Sequence, residues 1–251
     1  MVDARNWAVC KKVHLAQRVQ RLEDVQDFDV SRGEINQTIY RTYITNDASK
    51  ARLLKGVEVG RYRLNESLSQ GEREWFDEKR FLAKHSERPV VRIRRIATQR
   101  ITGVDERLRV VATNIEPPAY FADSTNSIVL EEGSSYKIEY LLALLNSALF
   151  QWRFKLTSTN NNVATNELDS MPFRAIDFSD PYDVAQHDRM VRLADWMLTL
   201  HEQLTEAKIE QERTIIQHQI DATDRQKDRL VYELYGLTDE EIAIVEEAAA
   251  S

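Results

Sequence analysis

The chain has 251 residues, 30% of them charged and 42% hydrophobic, and a formal net charge of −7. This composition fits a folded globular protein and argues against a disordered or membrane-bound one. No apolar run approaches the roughly 20 residues that span a bilayer, and the opening stretch MVDARNWAVCKKVHLAQR lacks the apolar segment of a secretory signal. Cys10 stands alone, so neither a disulfide framework nor a cysteine metal cluster is expected, and a reducing, cytoplasmic setting is the simplest expectation.

Residues 1–50 are irregular in period. Val9, Val13, Leu15 and Val19 suggest a short strand or helix, and Thr38–Ile44, rich in β-branched and aromatic residues, predicts a strand. Asn46–Ser49 offers turn and helix-capping chemistry ahead of Lys50. Leu53–Leu64 reads as a turn into a strand. Its glycines, Gly56 and Gly60, are four apart and no Lys-Ser/Thr follows, so the phosphate-loop pattern is absent. Gln70–His85 is amphipathic and predicts a helix carrying Trp75, Phe76, Phe81 and Leu82.

Pro89–Ile96 has strand propensity, with Arg92 and Arg94 on one face. The chain turns at Gly103–Glu106 and returns through Leu108–Thr113, predicting a hairpin. Arg92, Arg94, Arg95 and Arg100 are interleaved with aliphatics along it. Their guanidinium groups match phosphates and guanine edges, and are equally compatible with salt bridges to Glu58, Glu87 or Glu106. Glu116–Tyr120 predicts a loop and Ser127–Leu130 a further short strand. From Tyr140 an apolar run at the spacing of a buried helix leads into the polar loop Thr157–Asn162 and on to Met171-Pro172-Phe173.

Beyond Val184 the pattern changes to Met190, Leu193, Met197, Leu200 and Leu204 at three- and four-residue steps. Ile209, Ile216, Ile220, Leu230 and Leu234 mark a second long helix. A hairpin folding back near Thr205–Glu212 is expected, with Gly236 ending the second helix. Thr238 and Glu241 form a capping box for a last short helix. The fold class is therefore α+β, a mixed or antiparallel sheet with packed helices over 1–182, followed by a long helical hairpin over 183–251.

Charge divides along the same lines. Lys50–Val110 holds 16 Lys and Arg against 9 Asp and Glu, whereas Asp183–Ser251 holds 7 against 16, so a basic region precedes an acidic one. Catalytic motifs are missing. No G-x-G pair occurs, the five histidines lack ligand spacing, and Glu116-Pro117-Pro118-Ala119-Tyr120 departs from the Asn/Asp-Pro-Pro-Tyr signature of amino-methyltransferases. No catalytic residue, metal ligand or cofactor-binding residue is expected.

Several stretches together resemble a known family: LLKGVEVGRYRL, VVRIRRI, TNSIVL, LLALLNSALFQWRFK with its polar loop, and DRLVYELYGLTDEEIAIVEE. They resemble the TaqI-like C-terminal specificity, or target-recognition, domain of type II bifunctional restriction-modification methylases, which is similar to type I specificity subunits. Lys227 departs from the pattern, where the family usually carries an aliphatic residue.

The resemblance implies sequence-specific recognition of double-stranded DNA through the major groove. Adenine methylation and cleavage, with S-adenosylmethionine and magnesium, would reside in an upstream portion or partner subunit. On this expectation DNA is contacted by Arg61, Arg63, Arg92, Arg94, Arg95, Gln99 and Arg100, and by Lys155, Thr157, Ser158, Thr159, Asn160, Asn161 and Asn162. Asparagine suits adenine edges and arginine suits guanine. The acidic hairpin would face a methyltransferase or endonuclease. The alternative is a helical interaction or oligomerisation protein, for which Met197 and Leu200 are the residues to probe.

Overall fold

The computed structural model of the protein describes residues 4–101, 108–157 and 162–250. The chain opens with helix α1 (Ala4–Leu15), which buries Val9, Cys10 and Val13, and continues through strands β1 (Val19–Arg21), β2 (Phe28–Arg32), β3 (Ile44–Thr45), β4 (Ala51–Leu54) and β5 (Glu74–Phe76). The short helix α2 (Glu78–Leu82) precedes β6 (Arg95–Gln99), β7 (Ala112–Ile115), β8 (Tyr120–Phe121) and β9 (Thr125–Leu130). Then come α3 (Ile138–Leu145), α4 (Ala148–Thr157), α5 (Thr165–Asp169), β10 (Pro172–Arg174), α6 (Pro181–Glu206), α7 (Glu210–Leu234) and α8 (Asp239–Ala250).

The strands form an antiparallel sheet in the order β2-β9-β6-β7, a second sheet β3-β5-β4-β8 whose β4 and β8 run parallel, and the pair β1-β10. The fold is α+β with a long helical hairpin, as the periodicity predicts. The predicted arginine hairpin forms, with β6 and β7 antiparallel and Arg95 opposite Ile115. Its first part does not: Pro89–Arg92 is a 3-10 turn.

Two other expectations are corrected. Most of Thr38–Ile44 is turn because the Asn36 side chain accepts the Thr38 and Ile39 N–H groups at 3.0 and 2.9 Å, bending the chain away from a ladder. Gln70–His85 is strand β5 followed by α2, not one helix. Gly71 sits at φ +68°, and the Asp77 side chain caps α2 by accepting the Arg80 N–H, so the helix starts only at Glu78. Phe76 and Phe81 instead fill a small core with Tyr43, where Tyr43 meets Phe81 edge to face and both rings meet Phe76 at a tilt.

All eight residues of α3 are buried, as expected of a helix apolar on every side. It lies between β6 and β7 on one side and α6 on the other. Met190, Met197 and Leu200 of α6 and Ile216, Ile220 and Leu230 of α7 belong to the same hydrophobic core as α1, β9 and α4. The hairpin, which begins at Pro181 rather than 183, is thus built into the main core. At its far end Gly236, at φ +64°, closes α7, with the Leu237 N–H bonded to the Tyr232 carbonyl at 3.0 Å. The capping box of α8 also forms, with the Thr238 N–H on Glu241 at 2.8 Å and the Glu241 N–H on Thr238 at 3.4 Å.

The corner between α3 and α4 organises the surroundings. The Asn146 side chain pairs with the main chain of Ala112, accepting its N–H at 3.1 Å and donating to its carbonyl at 2.9 Å. Gln151 does the same for Val110, at 3.0 and 2.6 Å. Two amide side chains thereby satisfy the open edge of β7 and the segment entering it, which would otherwise present unpaired groups. Asn146→Leu leaves the Ala112 N–H without a partner, at a cost of about 1–3 kcal/mol, while the Ala112 carbonyl keeps the Tyr62 N–H at 2.9 Å. Urea unfolding of this variant is expected to show a lower midpoint with an unchanged slope, whereas an unaltered midpoint would remove the corner from the account.

Candidate nucleic-acid interface

The arginines predicted as one cluster are divided between the two ends of β6. Arg95 is buried, 1% exposed, and saturated. It binds Glu34 through both terminal nitrogens at 3.0 and 2.9 Å, donates to the Ala119 carbonyl at 2.7 Å and lies over the Phe121 ring. A guanidinium so enclosed cannot reach a ligand, which corrects its predicted role. Arg92 pairs with Glu78 at 2.7 Å and Glu87 at 3.3 Å, and Arg94 with Glu116 at 2.6 Å and with Glu139. For these three the salt-bridge alternative holds, because opposed charge lies within reach of each.

Arg61 is likewise structural. Its guanidinium donates to the Asn146 carbonyl at 2.7 Å and pairs with Asp224. Lys227 is fully buried beside it, donating to the same carbonyl at 2.7 Å and to Asp224 at 2.6 Å. Burial pushes the Asp224 carboxyl up, but Lys227 and Arg61 more than cancel this and hold it well below the ordinary carboxylate range.

Arg100 lies at the opposite end of β6 from Arg92–Arg95, and there the polar loop meets the strand. Ile101 bridges Asn162, and the Val163 N–H donates to the Arg100 carbonyl at 2.7 Å. Arg100 and Asn162 line one recess with Arg32, Asp123 and Ser124. Arg32 pairs with Asp123 at 2.9 Å. Burial, then the neighbouring Arg32, push the Arg100 guanidinium down from its ordinary value. Two guanidinium groups thus share one carboxylate, leaving positive charge to spare.

This recess opens into a larger one of about 540 Å³, with Ile101 and Ser124 lining both. Its walls carry amides and hydroxyls: Gln37, Asn65, Ser67, Ser69, Gln70 and Gln99. Lys55 also lines it, 3.4 Å from Glu74, which pairs more closely with Arg41 at 2.6 Å. Asn65 and Gln99 are shared in turn with a cleft against the hairpin, lined by Arg63, His201 and Asp221. Arg63 is exposed and has no ion-pair partner among the described residues. His201 stacks on Tyr62 at 6.0 Å, and burial, reinforced by Arg63 and Arg61, pushes it down to about 4, so it is neutral near pH 7. The three recesses adjoin through these shared residues as a groove whose Arg32–Arg100 end carries surplus positive charge, whose middle is lined by amides and hydroxyls beside Lys55, and whose hairpin end holds Arg61 and Arg63 with Asp221 and Asp224.

The remaining predicted residues divide. Thr157 ends α4 and accepts from Arg153 at 2.7 Å, and Lys155 is half-buried and engaged. Ser158, Thr159, Asn160 and Asn161 lie outside the described residues. Sequence reasoning missed Arg32, Gln37, Lys55, Asn65 and Ser124. The available signal was Gly33 and Gly56, where an added Cβ would come within 2.1 Å of the Ala122 carbonyl oxygen and 2.2 Å of that of Ser124. These glycines let main chains cross closely and bring the groove residues together. Among the described residues no three His, Cys, Asp or Glu side chains are placed to hold a metal ion. Among them, too, no helix is long and apolar enough to cross a membrane.

Neither a protein-family model nor a curated protein matches the sequence. Solved structures do. The chain is similar to the type IIL restriction-modification enzyme MmeI in complex with DNA, with a TM-score of 0.52 and 12% identity over 94% of this chain and 37% of that one. The chain has a specificity-domain-like fold. The HsdS subunit from Thermoanaerobacter tengcongensis also matches, with a TM-score of 0.43 and 12% identity over 92% of this chain and 50% of that one. So does a chain of a type I restriction-modification system, with a TM-score of 0.46 and 13% identity over 98% and 51%. Neither of these two superposes closely enough to add to the argument. The chain spans 37–51% of the length of these structures, and at such identities the likeness is one of fold.

Proposed function

We propose that the chain is a sequence-reading module for double-stranded DNA in a restriction-modification system, without catalysis of its own. The observation that carries this reading is the groove: the surplus guanidinium charge at its Arg32–Arg100 end and the exposed Arg63 suit phosphates, and the amides and hydroxyls that line it suit base edges. The likeness in fold to MmeI, which was solved with DNA, supports the same reading. Adenine methylation, any cleavage, and the S-adenosylmethionine and magnesium they need belong on this proposal to a methyltransferase or endonuclease portion or partner. The overall charge of −7 is no obstacle, because the acidic residues concentrate in the hairpin while the Arg32–Arg100 end of the groove stays basic.

Fluorescence titration of labelled duplexes at several salt concentrations tests the proposal. Arg63→Ala and Arg100→Ala are expected to weaken binding to all sequences and to reduce the salt slope by about one each. Arg94→Ala, whose charge is already compensated, should leave the slope unchanged. No binding at low salt, even by the chain joined to a catalytic partner, would sink the reading.

A second reading, docking through the hairpin, complements the first. Tyr182, Arg189, Trp196 and Gln203 recur every seven residues on α6. Tyr182 is 66% and Trp196 45% exposed, a stripe suited to a partner helix. Met197 and Leu200 are fully buried and cannot probe it, since charge there would disrupt the core. Trp196→Glu is expected to abolish co-elution with the methyltransferase partner in size exclusion with light scattering and to leave DNA affinity intact. Unchanged co-elution would exclude this face.

A further inference from the structure

Two glutamines in the groove are held with opposite polarity. The Gln99 Nε2 donates to the Val59 carbonyl at 2.6 Å, which commits its amino group to the protein and leaves Oε1 as an acceptor. Gln37 is held the other way. The Gly56 N–H donates to the Ser124 Oγ at 3.2 Å, so the Ser124 hydroxyl hydrogen is free to point onward, and it does so to the Gln37 Oε1 at 3.4 Å. That chain occupies the Gln37 carbonyl oxygen and leaves Nε2 as a donor. Both orientations follow from the hydrogen-bond network. Both side chains are half-buried and line the same recess, which also contains Gly56 and Ser124.

A fixed donor beside a fixed acceptor complements one base edge in the major groove. Adenine presents an acceptor, N7, beside a donor, its N6 amino group. Guanine presents two acceptors there, and cytosine a donor alone. We propose that Gln37 and Gln99 together read the adenine of an A·T pair, Gln37 donating to N7 and Gln99 accepting from N6. This rests on the DNA-recognition reading above. Each glutamine is fixed by protein partners before DNA arrives, so ordering its side chain costs little on binding. Gly56 is indispensable to the arrangement: a Cβ there would meet the Ser124 carbonyl oxygen at 2.2 Å and push apart the two segments that orient Gln37.

Selection of the 251-residue chain on a randomised duplex library at low salt, followed by sequencing, tests the proposal. The wild type is expected to enrich a motif containing an A·T pair. Gln37→Leu and Gln99→Leu should each reduce preference at that pair by about tenfold and leave the other positions of the motif alone. Gln37→Glu keeps an oxygen for the Ser124 hydroxyl and replaces the outward donor with an acceptor. It should shift preference at that position toward cytosine, a gain that unfolding cannot produce. Arg63→Ala should weaken binding to the whole library without altering the motif. A specific motif unchanged by all three glutamine substitutions overturns this assignment and leaves DNA recognition standing. Failure of the wild type to enrich any motif overturns both.

Discussion

The main-chain carbonyl of Asn146 receives two cations, Arg61 at 2.7 Å and Lys227 at 2.7 Å, and both also pair with Asp224. The groove depends on this convergence. Asp228 completes it by accepting the Ala148 N–H at 3.0 Å, which fixes the start of α4. Three parts of the chain meet there: the segment bearing Arg61 and Arg63, the corner between α3 and α4, and α7. Charges taken out of water are costly unless paired and hydrogen-bonded on every side, and this cluster meets that condition with two cations and two carboxylates. It therefore fixes geometry more than it adds net stability. A well-packed aliphatic residue at position 227 would fill the same place without a charge. The lysine here is matched by Asp224 and Asp228 one turn and one residue away.

The same cluster explains why one arginine of a pair is structural and its neighbour is free. Tyr62 lies between Arg61 and Arg63 and is itself buried, with its N–H on the Ala112 carbonyl at 2.9 Å. Tyr62 sits at φ +58°, so the chain bends there; the bend breaks the alternation that would put both arginines on one face, and Arg61 pairs with Asp224 while Arg63 stays exposed at the cleft. Composition counts both as positive charge, but only an unpaired group contributes to the field a ligand meets. The basic stretch from Lys50 to Val110 is for this reason a poor map of the surface. Arg52, Arg92, Arg94 and Arg95 all have carboxylate partners, and the partners of Arg94 and Arg95 (Glu116, Glu139 and Glu34) lie outside that stretch.

Elements whose pattern is dictated locally were legible in the sequence: the buried α3, the long hairpin with its turn, the Gly236 terminus and the Thr238–Glu241 box. The β6–β7 pairing was legible too, because β-branched runs flank a glycine turn. What failed were segments in which apolar spacing is ambiguous and a single polar side chain decides, as Asn36 does for Thr38–Ile44 and Asp77 for α2. Of the residues that line the proposed groove, the sequence pattern singled out Arg61, Arg63, Gln99, Arg100 and Asn162. Gln37 and Ser124 are separated by most of the sheet in sequence and meet only because main chains cross at Gly33 and Gly56. Such tertiary crossings leave no periodic trace.

Hydrogen exchange of the chain with and without a cognate duplex tests the central claim, that the groove is the face presented to DNA. Slowed exchange is predicted in the segments around Arg32–Gln37, Lys55–Gln70, Gln99–Ile101 and Ser124, with none at Arg92–Arg95 or on the outer face of α6. Protection confined to Arg92–Arg95 or to the hairpin, with the groove segments unchanged, would contradict it.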